Sequence, residues 1–198
     1  MLENNKITNF EANYKTLIVS SKGGRVLQKG KIYKKGLHKQ RLEDNVYKTI
    51  TIINNDTIYK KIGNQVKTNS ISQIKNKTFN LLKGGSGYTN FNLNIVSVNT
   101  NREEYILKGN AKNGNSYFSS ITYYVNYITW YVTKTITTYK NMDTITTTKY
   151  YYDKIDNLNI IKRIEVNTKS SAGYIQSKKI FKNIKLNQDI PDSLFINF

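Results

Sequence analysis

The sequence predicts a mainly β fold with a few helices (an α+β fold), built on an antiparallel meander of about ten or eleven strands. Three observations lead to this prediction. Tyr, Ile, Thr and Val, which favour strands, are abundant among the 198 residues. Groups of Asn, Gly, Asp and Ser recur as turn signals, and apolar and polar residues alternate between them. With one Pro and no linker-like segment, residues 1–198 are expected to form a single domain.

The strands can be assigned in chain order. Asn55-Asp56 and Asn141-Met142-Asp143 each separate two alternating segments, which is the pattern of a β-hairpin. Two long strands are expected after the second hairpin. The segments assigned in this way are 50–52 with 57–59, 131–137 with 144–150, and then 158–168 and 174–186.

Two segments have helical spacing instead of alternation. Apolar residues at positions 2, 7, 10 and 14 suit a short amphipathic helix before the first strand. Residues 70–82 show the same spacing, with Ser70 as a suitable N-cap and Gly84-Gly85 where a helix would end. We therefore expect one helix in the middle of the sheet and a short one in front of it.

The charge is strongly positive, with 31 Lys and Arg against 13 Asp and Glu, a net charge of +18. The lysines are scattered along the chain, without a run of five or six like charges, so they are expected mainly on a solvated surface. Binding to an anionic surface remains the alternative. Nucleic acid is not an expected partner, because the aromatic residues suit cross-strand pairing and no RNA-binding motif is present.

Catalysis is not expected. The chain has no Cys and one His, which excludes a thiolate nucleophile, a disulfide framework and a Cys-based zinc site. His38 lies among cations without an acid to orient it, and the acidic pairs look like turn residues. The glycines at 84–87 follow the expected helix and do not precede one, unlike those of a phosphate-binding loop. No catalytic residue, metal or cofactor is predicted.

The order and spacing of the segments resemble the LolA-like family of outer-membrane lipoprotein carriers and lipoprotein-sorting proteins. The resemblance covers nearly the whole chain. It runs from a short opening helix and a glycine-started strand with a basic turn, through a hairpin, the central helix and a Tyr-x-Leu strand, to a closing segment with proline and phenylalanine. These segments are residues 7–14, 28–43, 58–66, 79–82, 104–109 and 181–195.

The resemblance implies an open, strongly curved antiparallel half-barrel whose concave face is covered by helices, with a helical lid insertion at about 70–87. Its cavity would hold acyl chains, and each buried CH₂ would contribute about 0.8 kcal/mol. Strand alternation gives the candidate cavity residues Leu17, Val19, Ile32, Leu42, Ile50, Ile52, Phe91, Leu93, Ile95, Tyr105, Leu107 and Trp130. The implied lid residues are Ile71, Ile74, Phe79, Leu81 and Leu82, and the hinge glycines are Gly84, Gly85 and Gly87.

The family also has a basic residue followed by proline after its first long hairpin strand, and that residue is thought to control the lid. Here Lys35-Gly36-Leu37 lacks the proline, so Lys35 is the candidate counterpart. The implied partners are lipoprotein acyl chains or another hydrophobic ligand, an inner-membrane release complex, an outer-membrane acceptor and, transiently, an anionic membrane surface. A periplasmic monomer, present as the mature form without its signal segment, is expected.

Three other functions remain open at this stage. A binding module of the same fold would sense a lipid or lipoprotein without carrying it. A basic module would bind an anionic polymer, with the cavity filled by ordinary core packing. A hydrolase is the least favoured of the three, since no catalytic constellation was found.

Overall fold

The structure is a computed structural model that describes residues 7–36, 38–55, 57–70, 91–111, 118–140 and 142–196. These residues form one antiparallel sheet of thirteen strands. The strands are β1 (Asn9–Ser20), β2 (Arg25–Lys35), β3 (Lys39–Asp44), β4 (Thr49–Asn54), β5 (Thr57–Ile62), β6 (Gln65–Ser70), β7 (Phe91–Asn99), β8 (Glu104–Ala111), β9 (Phe118–Asn126), β10 (Val132–Tyr139), β11 (Thr144–Ile155), β12 (Leu158–Ser170) and β13 (Gly173–Leu186). The only helical elements in the described part of the chain are two short 3₁₀ helices, Thr100–Arg102 and Asp192–Phe195.

The first and last strands lie side by side in the middle of the sheet. The spatial order is β6-β5-β4-β3-β2-β1-β13-β12-β11-β10-β9-β8-β7. Two meanders, β1 to β6 and β7 to β13, are therefore joined by the pairing of β1 with β13. The edges are β6 and β7, which makes the sheet open, as predicted for a half-barrel.

The structure confirms an open antiparallel sheet and corrects three expectations. The sheet has thirteen strands and not ten or eleven, because β3 to β6 have six residues each and four strands fit into 39–70. The predicted N-terminal helix is wrong for Phe10 and Tyr14, which lie on β1. Helices covering a face are absent from the described residues. Of the predicted insertion at 70–87, Ser70 ends β6, and 71–87 lie outside the described residues.

Alternation along β1 explains why it is a strand. Phe10, Ala12, Tyr14 and Thr16 are buried, whereas the residues between them are more exposed. This period of two places one row of side chains on one face of the sheet. The helical spacing of residues 7, 10 and 14 was misleading because it passed over Ala12 and Thr16, which are small or polar but buried.

The pairing register shifts within several strands. Pairing shifts occur between Glu11 and Asn13 on β1, and between Tyr151 and Tyr152 on β11. A bulge adds one residue on one strand and increases the local twist. A twisted sheet of more than about ten strands also tends to curl, so both features favour curvature.

Candidate binding face

One face of the sheet, called here the core face, carries a large apolar cluster near its centre. Its buried members on the central strands include Phe10, Tyr14, Ile164 and Phe181. The Phe10 and Phe181 rings meet edge to face at 6.2 Å between centroids. Such aromatic pairs stabilise beyond the area they bury.

A second apolar cluster continues the core face toward β7. Its buried residues are Phe91, Ile121 and Tyr123, with Leu93, Leu107, Phe118 and Val125 packed against them. Val132 on β10 packs against both clusters, which makes them one continuous surface. Apart from Ile7, every described member of the two clusters lies on a strand.

Near the start of β8, the aromatic side chains of Tyr105, Tyr127 and Trp130 form a group that is partly exposed to solvent. The Tyr105 ring packs against Tyr127 at 5.5 Å and against Trp130 at 5.7 Å. Trp130 is 57% exposed and has a positive φ of 59°. The backbone N–H of Trp130 donates to the backbone carbonyl of Asn126 at 2.7 Å, and the Asn126 side chain accepts from the backbone N–H groups of Ile128 and Thr129. These hydrogen bonds within the turn hold Trp130 in its positive-φ conformation.

The structure divides the predicted cavity residues between two faces. Ile32, Leu42, Phe91, Leu93 and Leu107 belong to the two core-face clusters. By alternation on their strands Ile95 and Tyr105 share that face, although Ile95 is 60% exposed; Trp130 lies in the turn described above. On the opposite face are Leu17, Val19, Ile50 and Ile52.

Leu17 and Val19 line a groove on the opposite face with a volume of about 650 Å³. Its walls come from β1, β11, β12 and β13. Most of its lining residues are polar or charged, with Lys149, Lys169 and Lys178 beside Glu165, and Leu17, Val19 and Ile145 supply apolar side chains. Glu165 forms an ion pair with Lys178 at 3.6 Å. The groove is therefore cationic with a few apolar residues, in contrast to the core face.

Ile50 and Ile52 lie beneath the segment that follows β13, residues 187–196, which is called here the C-terminal segment. Ile52 is fully buried against Ile190 and Phe195, with Ile50 packed beside this third cluster. The predicted lid-control residue, Lys35, is bound to the same segment: its ammonium donates to the carbonyl of Ile190 at 2.8 Å. These residues form ordinary packing around the C-terminal segment.

The predicted lid residues Ile71, Ile74, Phe79, Leu81 and Leu82 and the hinge glycines Gly84, Gly85 and Gly87 lie outside the described residues.

Lys35 also forms ion pairs with Asp192 at 3.3 Å and with Asp189 at 3.9 Å. All of its described charged contacts are therefore with the C-terminal segment. Its role at a lid stays a prediction.

Sequence reasoning missed a polar group within the core face. Lys179 lies opposite Thr16 on β1 and opposite Ile164 on β12. Its ammonium is 4.7 Å from the centroid of the Tyr14 ring. Burial lowers the pKa of Lys179, and the charge of Asp44 opposes that shift. The signal was available, since Lys179 is two residues from Phe181 and therefore alternates onto the same face.

Burial also shifts the tyrosines of this face. It raises the pKa of Tyr14 well above its usual value, and the carboxylates of Asp44 and Glu43 add to the shift. The hydroxyl of Tyr14 donates to the carbonyl of Glu43 at 3.1 Å. Burial likewise raises the pKa of Tyr150 and Tyr152. These phenols stay neutral and contribute apolar rings to the face.

The residues that the structure describes contain no group of three or more His, Cys, Asp and Glu residues placed to hold a metal ion. No helix among them is long and apolar enough to cross a membrane.

No family model and no curated protein matches the sequence. Solved structures do match. A LolA superfamily protein from Nitrosomonas europaea is 14% identical, with a TM-score of 0.69 over 98% of this chain and 94% of that one. A DUF1329 family protein from Desulfovibrio piger is 11% identical, with a TM-score of 0.71 over 98% and 91%.

A third similar structure is an outer membrane lipoprotein-sorting protein domain from Vibrio parahaemolyticus. It is 7% identical, and its TM-score is 0.67 over 94% of this chain and 88% of that domain. Identities this low carry information about the fold alone. Because all three matches cover nearly the whole chain, the arrangement of the sheet is shared from end to end. The chain therefore has a LolA-like fold.

Proposed function

We propose that this protein is a non-catalytic carrier that holds lipoprotein acyl chains or another lipid against its core face. It acts in the periplasm as a monomer and delivers its cargo toward the outer membrane. It takes up cargo from a release complex at the inner membrane and passes it to an acceptor at the outer membrane.

The continuous apolar core face carries this proposal. A sheet normally buries its apolar face against a second layer. The described members of the core-face clusters come from the sheet itself, apart from Ile7. An acyl chain would supply apolar contact along this face, with about 0.8 kcal/mol gained per CH₂ removed from water. The LolA-like fold supports the same function.

The first experiment asks whether the protein holds lipid at all. Native mass spectrometry of the full chain purified from cells is expected to show a bound fatty acid, phospholipid or acylated peptide. Titration with a fluorescent acyl probe is expected to give saturable binding. A protein that is free of lipid and binds no acyl probe would contradict the carrier proposal.

A matched pair of variants tests which face of the sheet binds the acyl probe. Leu107 and Leu17 are both half-buried leucines, but Leu107 lies on the core face and Leu17 lines the groove on the opposite face. We predict that Leu107→Gln weakens acyl-probe binding about tenfold, because one polar amide replaces an apolar contact. Leu17→Gln is expected to leave it unchanged. The reverse result would assign the ligand to the groove.

The cationic groove favours a second candidate, the binding of an anionic polymer. Three lysines line it, and the groove contains one carboxylate, that of Glu165. Binding of this kind weakens steeply with salt because counterions are released. Polyphosphate binding that falls with salt and is lost in a Lys149→Gln, Lys169→Gln double variant would support it. A lipid sensor would share the core face and would differ from the carrier in lacking transfer between vesicles.

A further inference from the structure

Lys179 lies at a boundary within the core face. Toward one end of its strand the neighbours are apolar, with the Phe181 ring centroid 5.9 Å and the Tyr14 ring centroid 4.7 Å from its ammonium. Toward the other end the same face carries hydroxyls, including those of Ser177 and Thr148, beside the apolar side chains of Ile18 and Val166. The ammonium therefore stands where hydroxyls begin to alternate with apolar side chains.

The charge of Lys179 is not matched by a carboxylate in contact with it. Among the described residues its ammonium makes ring contacts and no ion pair. Asp44 is the acid whose charge opposes the lowering of the Lys179 pKa by burial. The Oδ1 atom of Asp44 accepts from the backbone N–H groups of Val46 at 2.9 Å and Tyr47 at 3.0 Å, so this carboxylate caps the turn after β3.

Thr16 provides a second unmatched group. It is directly opposite Lys179 on the neighbouring strand, and its side chain is on the same face. Thr16 is 5% exposed, yet its Oγ1 atom has no hydrogen-bond partner among the described residues. A buried polar atom without a partner is destabilising, because it has lost its hydrogen bonds to water. Facing side chains of paired strands have Cβ atoms only about 5 Å apart, so one group can contact both.

We propose that Lys179 and Thr16 bind the anionic oxygen head group, a carboxylate or a phosphate, of a lipid whose chain lies along the apolar part of the core face. An ammonium and a hydroxyl both donate hydrogen bonds, which is what an anionic oxygen accepts. This inference rests on the proposed function and adds the class of ligand to it: an acidic amphiphile in preference to a neutral one.

The test compares three ligands that share one chain: palmitate, hexadecyl phosphate and hexadecanol. Calorimetric titration of the full chain at neutral pH is expected to show that an acidic ligand binds about tenfold or more tightly than the alcohol. Tighter binding of palmitate would point to a fatty acid, and tighter binding of hexadecyl phosphate to a phospholipid head group. Equal affinity for all three would overturn the inference.

Variants assign the preference to this site. Lys179→Met removes the charge and keeps an unbranched apolar side chain one atom shorter, and it is expected to abolish the preference while hexadecanol still binds. Thr16→Val keeps the shape and is expected to lower acidic-ligand affinity a few-fold. Lys29→Met, which removes an exposed charge on the opposite face, is expected to change neither. A preference that persists in Lys179→Met would refute the assignment.

The proposed function and this inference fail in different ways. If none of the three ligands binds, hexadecanol included, the result contradicts both the carrier proposal and the head-group site. If hexadecanol binds as well as the acids do, the carrier proposal stands and the head-group site does not. Circular dichroism of each variant separates loss of binding from loss of fold.

Discussion

At the scale of single residues, Gly30 shows how closely the strands approach one another on the core face. It lies opposite Tyr14 on one side and Asp44 on the other. The Tyr14 side chain crosses above it, because the Tyr14 hydroxyl reaches the carbonyl of Glu43 on β3. A Cβ atom at position 30 would lie 1.6 Å from that same carbonyl oxygen. Only glycine fits at this position.

Gly30→Ala is therefore predicted to destabilise the protein by about 3 kcal/mol, since backbone must move to admit the methyl group. The free energy of unfolding, measured in urea, checks this. Gly63→Ala is the control: its φ is 57°, and no atom lies within 4 Å of the added Cβ. Backbone strain alone costs about 1 kcal/mol there. Equal losses in the two variants would contradict the crowding at Gly30.

At the scale of elements, the C-terminal segment is fastened to the face opposite the core face. Side chains of β2, β3 and β4 bind its carbonyls: Lys35 that of Ile190, Arg41 that of Leu194, and Asn54 that of Phe195. Phe195 is fully buried against β4. The segment is thus held both by apolar packing and by donors from three strands.

Asp192 adds an ionic contact to this attachment. Hydrogen bonds from Lys39 and Lys35 hold its pKa below the usual range of an aspartate. A lowered pKa means that the ion pairs stabilise the folded state at neutral pH and that this contribution disappears as pH falls through the folded-state pKa. Asp192→Asn removes the charge from this side chain, so it should cause the same loss of folding stability at neutral pH.

We predict faster hydrogen exchange at the Leu194 amide, which donates to the carbonyl of Pro191, in Asp192→Asn than in the unchanged protein. Asp189→Asn is the matched control, because the Asp189 side chain is 93% exposed and 3.9 Å from Lys35. Equal exchange in both variants would mean that the donors and apolar packing alone hold the segment.

The elements also show what the sequence was able to predict. Strands at 158–168 and 174–186 were predicted and are observed as Leu158–Ser170 and Gly173–Leu186, because turn residues mark their ends. The pairing of β1 with β13 has no local signal. The side of the sheet that each strand buries was also hard to assign: β1 buries Thr16, so the more hydrophobic Leu17 faces the other way. A lysine such as Lys179 was assumed to be solvated.

At the scale of the whole molecule, the net charge of +18 has a structural cost. In the described part of the chain, lysines stand directly opposite each other on neighbouring strands at four places: Lys15 and Lys29, Lys35 and Lys39, Lys60 and Lys67, and Lys134 and Lys149. Like charges opposite each other destabilise a sheet. Asp192 relieves one pair, since it contacts both Lys35 and Lys39.

Lys15→Glu is predicted to stabilise the protein by about 0.5–1 kcal/mol, because it converts a repulsive pair with Lys29 into an attractive one. Thermal unfolding at low salt would measure the gain. It should shrink at high salt, where exposed charges are screened. Lys15→Gln, which only removes the repulsion, should gain less. A gain that does not depend on salt would show that charge is not its source.

The central position of β13 has a consequence for biosynthesis. Asn9 and Gln188 are joined by a hydrogen bond although they are 179 positions apart in the chain. During synthesis β13, which lies in the middle of the sheet, is therefore made after the other twelve strands. One edge of β1 stays unpaired until then. Long-range pairing of this kind is slow to form. Termination of synthesis before β13 would remove this central strand, and the two meanders would lose the pairing that joins them.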